Sequence, residues 1–357
     1  MSQSGASLGP SIWAVSDGRA GNAAQVRAIA GALSETQRWM RIAHIAGERH
    51  LGDPVHLAPR APFRWLPSNH AWPLLALPSE QRAMFHDPWP TIWLGAGRRT
   101  APYSAKTKEL AGEKSMVVHV LDCGLPPDTF DLMVTPAHDE VSGANVISTI
   151  GSPAYFAADD IEAAGLAFAD LADERHQNAV VVLGGDSKTH TFDKAAIERM
   201  DAHLRSVAAS SWRLRITCSR RTPVAARAHF RALADEIGAR FWEGPSDGPN
   251  PYLAWLIFSD AAIVTEDSAN MLSDAAYFGL PIHIARLTGR SEKFDRLHQS
   301  FIDRGAARWL HGSVETWTYD PIREADRVAD AIVQSLLERY PQPDIPPTDT
   351  VAPDWLG

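Results

Sequence analysis

Three loops of this sequence combine residue types that bind phosphate. The first ends the apolar run Ala261 to Val264 with Thr265-Glu266-Asp267-Ser268, after which a helix is expected with Ser268 as its N-cap. Backbone N–H groups at such a helix start lack intrahelical partners and attract anions; Asn270 and Met271 fall in that first turn. In the second loop, Gly184-Gly185-Asp186-Ser187-Lys188, the glycines permit close backbone approach and Lys188 can neutralise a phosphate. The third, Thr217-Cys218-Ser219-Arg220-Arg221-Thr222-Pro223, sets two arginines ahead of a helix, and each guanidinium can donate two charge-assisted hydrogen bonds to a diphosphate. A fourth loop, Ser16-Asp17-Gly18-Arg19-Ala20-Gly21-Asn22, offers Asp17 as a general base on an acceptor hydroxyl and Arg19 as an anion contact. Alternatively, Asp17 only orders its own turn. His138, in His138-Asp139-Glu140, is a second candidate base because an unperturbed imidazole titrates at about 6.5; the alternative is a solvated loop histidine.

Several other chemistries lack their residues. There is no G-x-x-x-x-G-K-[ST] loop, no G-x-S-x-G elbow and no H-E-x-x-H helix. Gly95-Ala96-Gly97 continues into Arg98, Arg99 and Thr100, which departs from the dinucleotide fingerprint. The 14 histidines are dispersed and no C-x-x-C occurs, so no metal is expected. With 34 Lys and Arg against 43 Asp and Glu, the net charge of −9 lacks the basic excess of a nucleic-acid binder. Two cysteines, Cys123 and Cys218, suit a reducing compartment better than a disulfide scaffold. Met1 to Pro10 has no apolar core of a secretory signal, and no 18-residue apolar run occurs. A cytoplasmic protein is expected, resting at most on the inner face of a membrane.

Short apolar runs alternating with helical stretches must position these loops, the pattern of parallel α/β architecture. Strands are expected at Ser11–Val15, Thr91–Leu94, Met116–Leu121, Asp131–Thr135 and Val146–Ile150, with a helix at Ala23–Leu33. After a helix at Asp159–Ala172 the cycle restarts. Strands at Ala179–Leu183, Arg213–Thr217, Ala261–Val264 and Pro281–Ala285 alternate with helices at Phe192–Ala208, Pro223–Gly238 and Asn270–Phe278. The expected fold class is therefore α/β, with two Rossmann-like domains facing a cleft. The first, residues 1–175, would be the acceptor side, and the second, 176–340, the donor side; the proline-rich stretch 341–357 reads as a tail. A long helix at Arg323–Arg339 follows the last strand and can pack on either domain. Pro62 to Pro78, with Trp65, Trp72, Phe63 and four leucines, reads as a loop packed on the first domain rather than as a lipid surface.

The order S-x5-[acid]-A-x3-G-x-P from Ser268 to Pro281 resembles the nucleotide-sugar site of two-domain, GT-B type glycosyltransferases. That resemblance implies that Asp274 holds ribose or sugar hydroxyls, with Glu266 and Asp267 as rivals. No D-x-D pair occurs, the usual divalent-ion holder of metal-dependent sugar transfer. As a set, S-D-G-R-A-G-N at 16–22, L-G-A-G-R-R-T-A-P at 94–102, L-D-C-G-L-P at 121–126 and V-T-P-A-H-D at 134–139 resemble the mitochondrial-fission "elongated mitochondria" family. L-G-G-D-S-K at 183–188, T-C-S-R-R-T-P at 217–223 and V-T-E-D-S-A-N-M-L-S-D-A at 264–275 extend the likeness. It implies a GT-B-like fold and a link to glycosyltransferases.

The function expected is metal-independent transfer from a nucleotide-activated sugar to a glycan or lipid-linked acceptor, without a further cofactor. Gly185, Asp186, Ser187, Lys188, Ser219, Arg220, Arg221, Glu266, Asp267, Ser268, Asn270, Met271 and Asp274 would bind the donor. Gly18, Arg19, Gly21, Asn22, Gly95 and Arg98 would lie on the acceptor side, with Asp17 and His138 as candidate bases. A non-hydrolysing nucleotide-sugar epimerase and a non-catalytic adaptor are the alternatives.

Overall fold

The computed structural model describes residues 12–35, 54–66, 72–172 and 176–339. The first ten residues, the boundary at 175, residues 67–71 of the tryptophan-bearing segment and the tail 341–357 lie outside the described residues. Two six-stranded sheets, parallel throughout, make the fold. The first contains β1 (Ile12–Ser16), β2 (Val55–His56), β3 (Ile92–Ala96), β4 (Met116–Val120), β5 (Leu132–Pro136) and β6 (Val146–Thr149), in the order β2-β1-β3-β4-β5-β6. The second contains β7 (Asn178–Leu183), β9 (Arg213–Cys218), β10 (Arg240–Trp242), β11 (Ala261–Thr265), β12 (Ile282–Ala285) and β14 (Ala307–Trp309), in the order β10-β9-β7-β11-β12-β14. A short antiparallel pair, β8 (His190–Thr191) with β13 (Thr288–Gly289), sits beside it. In the second sheet the order reverses between β7 and β11, the switch point at which open α/β sheets open a crevice. The architecture is α/β, two Rossmann-like halves.

Continuous apolar strands become central strands because helices cover both faces of a parallel sheet. All five positions of β3, β4 and β11 are buried. On one face of the first sheet, Val26, Ile29 and Leu33 of helix Ala20–Glu35 pack over Leu94 and Val118. On the other face, Trp72, Leu77, Phe85 and Tyr103 surround Trp93. Trp72 is therefore core, as a packed loop requires, while Trp65, Leu66 and Leu75 of the same segment are exposed.

The last helix, Glu324–Arg339, returns to the first domain. Val328, Ile332, Val333 and Leu336 join the cluster that contains Val26 and Ile29, and Arg339 bridges Glu113 at 2.7 Å and Asp131 at 3.1 Å. Sequence order and core membership part company here, because residues 324–339 follow the second sheet yet bury their apolar stripe against the first. Residues 150–157 make the other crossing. A Cβ on Gly31 would stand 2.7 Å from the Tyr155 ring, and one on Gly151 (φ 68°) would meet Ser273 and Phe301 of the second half within 2.7 Å. The Ser152 N–H donates to Ser273 Oγ at 2.9 Å. Between the halves, the turn Ala137–Asp139 sits against helix Glu292–Asp303, where Lys293 pairs with Asp139 and Arg296 pairs with Glu140 at 3.2 Å.

Two predictions follow from this packing. Ile332→Ala should cost about 2–5 kcal/mol in urea unfolding, against less than about 0.5 kcal/mol for the exposed Leu166→Ala; equal small effects would show that the last helix is not core. Burial also depresses the imidazoles of His119, to about 3, and of His138 and His298, to about 4. Because the unfolded chain binds these protons first, the stability they carry is present above about pH 6.5 and is lost as pH falls toward 4. His119→Gln should flatten the decline of melting temperature over that window, relative to its value at pH 7.5.

Candidate functional site

The carboxyl ends of β7, β9, β10 and β11 open into a cavity of about 550 Å³. Val182, Thr217 and Cys218 lie at the strand ends, Ser219 to Arg221 form one wall, and Ser268, Asn270, Met271 and Asp274 form another. Trp242, Asn250 and Tyr252 complete the second domain's share. Gly21 of the first domain also lines it, and a Cβ there would contact the Asn270 amide at 3.9 Å. The cavity therefore spans the two halves.

Its geometry begins with a buried carboxylate. Asp267 accepts from the Gly185 N–H at 3.0 Å and from Thr265 Oγ1 at 2.7 Å, and it pairs with Arg221 at 2.7 Å. A Cβ on Gly184 would lie 2.0 Å from Asp267 Oδ1, and one on Gly185 would lie 2.0 Å from the Arg221 carbonyl. These glycines make room for protein atoms. The rest of that loop is tied down locally: Asp186 accepts from the Phe192 N–H at 2.8 Å, and Ser187 Oγ accepts from the N–H groups of Thr189 and His190. Lys188 is exposed and does not line the cavity.

The two adjacent arginines divide their work. Arg221 turns inward to Asp267 and to the carbonyls of Gly185 and Asp186. Arg220 lines the cavity, and among the described residues its guanidinium makes no hydrogen bond or ion pair. Arg227 holds the loop by donating to the carbonyls of Ser219 (3.1 Å), Arg220 (3.0 Å) and Thr222 (2.8 Å). Opposite, Ser268 caps helix Ala269–Tyr277 by accepting from the Met271 N–H at 3.5 Å. The Asp274 carboxylate accepts from the Tyr252 hydroxyl at 3.0 Å, and burial pushes its pKa up to about 7. An acid balanced near neutrality in a cavity can accept from or donate to a ligand hydroxyl.

Glu266 goes elsewhere. Its Oε1 accepts from the Leu287 N–H at 2.6 Å, and it lines a second cavity of about 450 Å³. The expected convergence of Lys188, Arg220 and Glu266 on one cavity is thus corrected. Glu266 and Ser268 both lie past the end of β11 in the turn into helix Ala269–Tyr277, where Glu266 lines the second cavity and Ser268 the first.

In the first domain, Asp17 Oδ1 accepts from the Arg19 N–H at 3.2 Å and Asn22 Nδ2 at 2.8 Å, while Oδ2 is buried without a hydrogen bond. Gly97, at φ 93°, approaches so closely that a Cβ would stand 2.4 Å from the Asn22 amide and 2.7 Å from Asp17 Oδ2. Gly18, at φ 80°, turns the loop. Gly95 serves packing, since its Cβ would stand 2.3 Å from Ser104 Oγ. Arg19 and Arg98 are exposed. His138 departs from the expectation of a base. It is buried outside both cavities, its carbonyl accepts from Arg296 at 3.3 Å, and an imidazole held at about 4 is a weak proton acceptor.

Tyr252, Trp242 and Arg227 are the residues that sequence reasoning passed over. Tyr252 and Trp242 belong to no motif, and the only signal for Arg227 was its place one turn inside the helix after Pro223. Among the described residues, no group of three or more His, Cys, Asp or Glu side chains could hold a metal ion, and no helix is long and apolar enough to cross a membrane.

Among solved structures, the chain is similar to MurG of Acinetobacter baumannii, at 15% identity and TM-score 0.46 over 92% of this chain and 93% of that one. It is also similar to the UDP-GlcNAc 2-epimerase of Neisseria meningitidis, at 12% identity and TM-score 0.47 over 92% and 100%. Its relatives include the mitochondrial fission protein ELM1 of Arabidopsis thaliana, 25% identical over 286 residues, and an uncharacterized protein of Rickettsia prowazekii, 25% identical over 282 residues. Those alignments take in 72% and 68% of this chain, and they span 66% of the plant protein and 79% of the rickettsial one. The family model for mitochondrial fission ELM1 matches residues 20–336, and the chain belongs to that family.

Proposed function

We propose that the chain is a metal-independent glycosyltransferase that takes a nucleotide-activated sugar and serves envelope or surface glycan synthesis. One observation carries the reading: an interdomain cavity that sets an uncommitted guanidinium, Arg220, against the open N-terminus of helix Ala269–Tyr277, with Asp274 one turn deeper. The helix N–H groups and Arg220 would hold the diphosphate, and Asp274 with Tyr252 would hold a ribose or sugar hydroxyl. Trp242 offers a ring to the nucleobase.

The acceptor would enter from the first domain past Gly21. Its oxygen attacks the anomeric carbon as the bond to the diphosphate oxygen breaks, leaving the electron pair on the phosphate, where Arg220 and the helix N-terminus stabilise it. Of the two candidate bases, Asp17 is preferred because it belongs to the loop whose Gly21 lines the cavity, whereas burial holds the His138 imidazole at about 4. A lipid-linked acceptor would meet the exposed Trp65, Leu66 and Leu75, next to Arg60 and Arg64.

Nucleoside diphosphates of uridine, guanosine, adenosine and thymidine form the first test panel. A true donor base at 100 times its dissociation constant should stabilise the fold by about 2.7 kcal/mol. Arg220→Ala should weaken that binding by about tenfold to a hundredfold without lowering the melting temperature of the free protein. No response to any nucleotide would instead favour a non-catalytic adaptor. Asp17→Asn should lower turnover by about 10²–10⁴-fold and leave nucleotide affinity unchanged; full turnover in that variant would remove Asp17 as the base.

A further inference from the structure

The second cavity, about 450 Å³, opens at the carboxyl ends of β11, β12 and β14, and the donor reading makes no use of it. Its size falls in the range of small-molecule sites, roughly 300–1,000 Å³. Arg286 lies flat against Trp309, its guanidinium carbon 3.7 Å from the ring centroid. Among the described residues that guanidinium makes no hydrogen bond, and the nearest carboxylate oxygen, Glu266 Oε2, is 3.9 Å away. A planar cation held by stacking with its donors free is a fork for a carboxylate. Arg290, by contrast, is committed to Asp295 at 3.0 Å.

His298 supplies an independent observation. It lines the same cavity, is 1% exposed, and donates from Nε2 to the Glu266 carbonyl at 2.8 Å. Burial keeps the ring neutral, so Nδ1 carries a lone pair, and that atom is buried without a partner. A buried acceptor without a donor costs free energy until something donates to it. Glu266 Oε2 is a second acceptor on the same wall, and Gln299 adds an amide.

The geometry points to a binding site for a carboxylate carried on a hydroxylated, sugar-sized ring. Arg286 takes the carboxylate and Glu266 accepts a ring hydroxyl, with His298 Nδ1 a further acceptor once the side chains covering it shift to admit one. A dianionic phosphate fits less well, because it would face Glu266 and Asp295 with one free guanidinium to offset it. Such a ligand comes from two sources: a free sugar acid, or the glycosyl end of an acidic nucleotide sugar that reaches from the first cavity into the second. The latter source rests on the donor reading.

Ligand-observed NMR with D-glucuronate, D-glucose and inorganic phosphate tests the site. Glucuronate should bind at least tenfold tighter than glucose and should not be displaced by equimolar phosphate. Arg286→Gln, at a half-exposed position, should stay folded and lose at least tenfold, whereas Arg220→Ala should leave glucuronate binding unchanged. A second arm titrates UDP-glucuronate against UDP-glucose. A preference of at least tenfold for the acid, weakened by both Arg286→Gln and Arg220→Ala, assigns the nucleotide-sugar source; glucuronate binding with no such preference assigns the free acid. Absence of UDP binding with glucuronate binding intact removes the donor reading and leaves this site standing. No preference for the acid in either arm, displacement by phosphate, or full binding in folded Arg286→Gln overturns it.

Discussion

The arrangement of the loops after β7, β9 and β11 depends on the buried Asp267 carboxylate. Its two oxygens join the ends of three strands: the Gly185 N–H after β7, the Arg221 guanidinium after β9, and the Thr265 hydroxyl at the end of β11. A carboxylate taken out of water requires its full set of donors, and removing one partner of a buried pair costs about 3–5 kcal/mol. Those donors stay satisfied only if the three loops keep their places. Arg221 is therefore spent on structure, and its neighbour Arg220 stays free at the cavity. The two sequence neighbours of Asp267 line different cavities, Ser268 the first and Glu266 the second.

The halves of the molecule are linked at three places of different character. Residues 150–157 thread between Gly31 of the first domain and Ser273 and Phe301 of the second, contacts too close for any side chain on those glycines. The terminal helix carries the chain back and closes the first core with apolar burial. The turn Ala137–Asp139 meets helix Glu292–Asp303 through charges. Apolar and backbone contacts make the first two crossings, and ion pairs make the third.

Much of the fold was legible because parallel strands buried on both faces are nearly uninterrupted apolar runs. Ala179–Leu183 and Ala261–Val264 stand out for that reason, and Pro223 and Gly238 punctuate the helix between them. The elements that escaped have weaker local signatures. Helix Glu292–Asp303 mixes its stripe of Phe294, Leu297 and Phe301 with His298 and many charges, and helix Ala101–Ala111 opens on a proline that reads as a loop. Edge strands β10 and β14 have three residues each, too short to announce themselves.

By itself, the sequence determined the parallel α/β class, the two cycles of strand and helix, and the loops that gather at the cleft, because periodicity and helix caps are local properties. It also marked the family through the spacing of residues within those loops. Only the tertiary structure decided which member of each loop faces the cavity. Arg220 and Arg221 are adjacent and chemically identical, as are the acids Glu266 and Asp267 in kind, and nothing in their order tells which one a distant glycine will claim. Partners 36 to 82 residues away made that choice, and burial decided that His138 would stay neutral and Asp274 would titrate near 7. Desolvation is a property of the packed chain, so neither value is written in the residues that carry it.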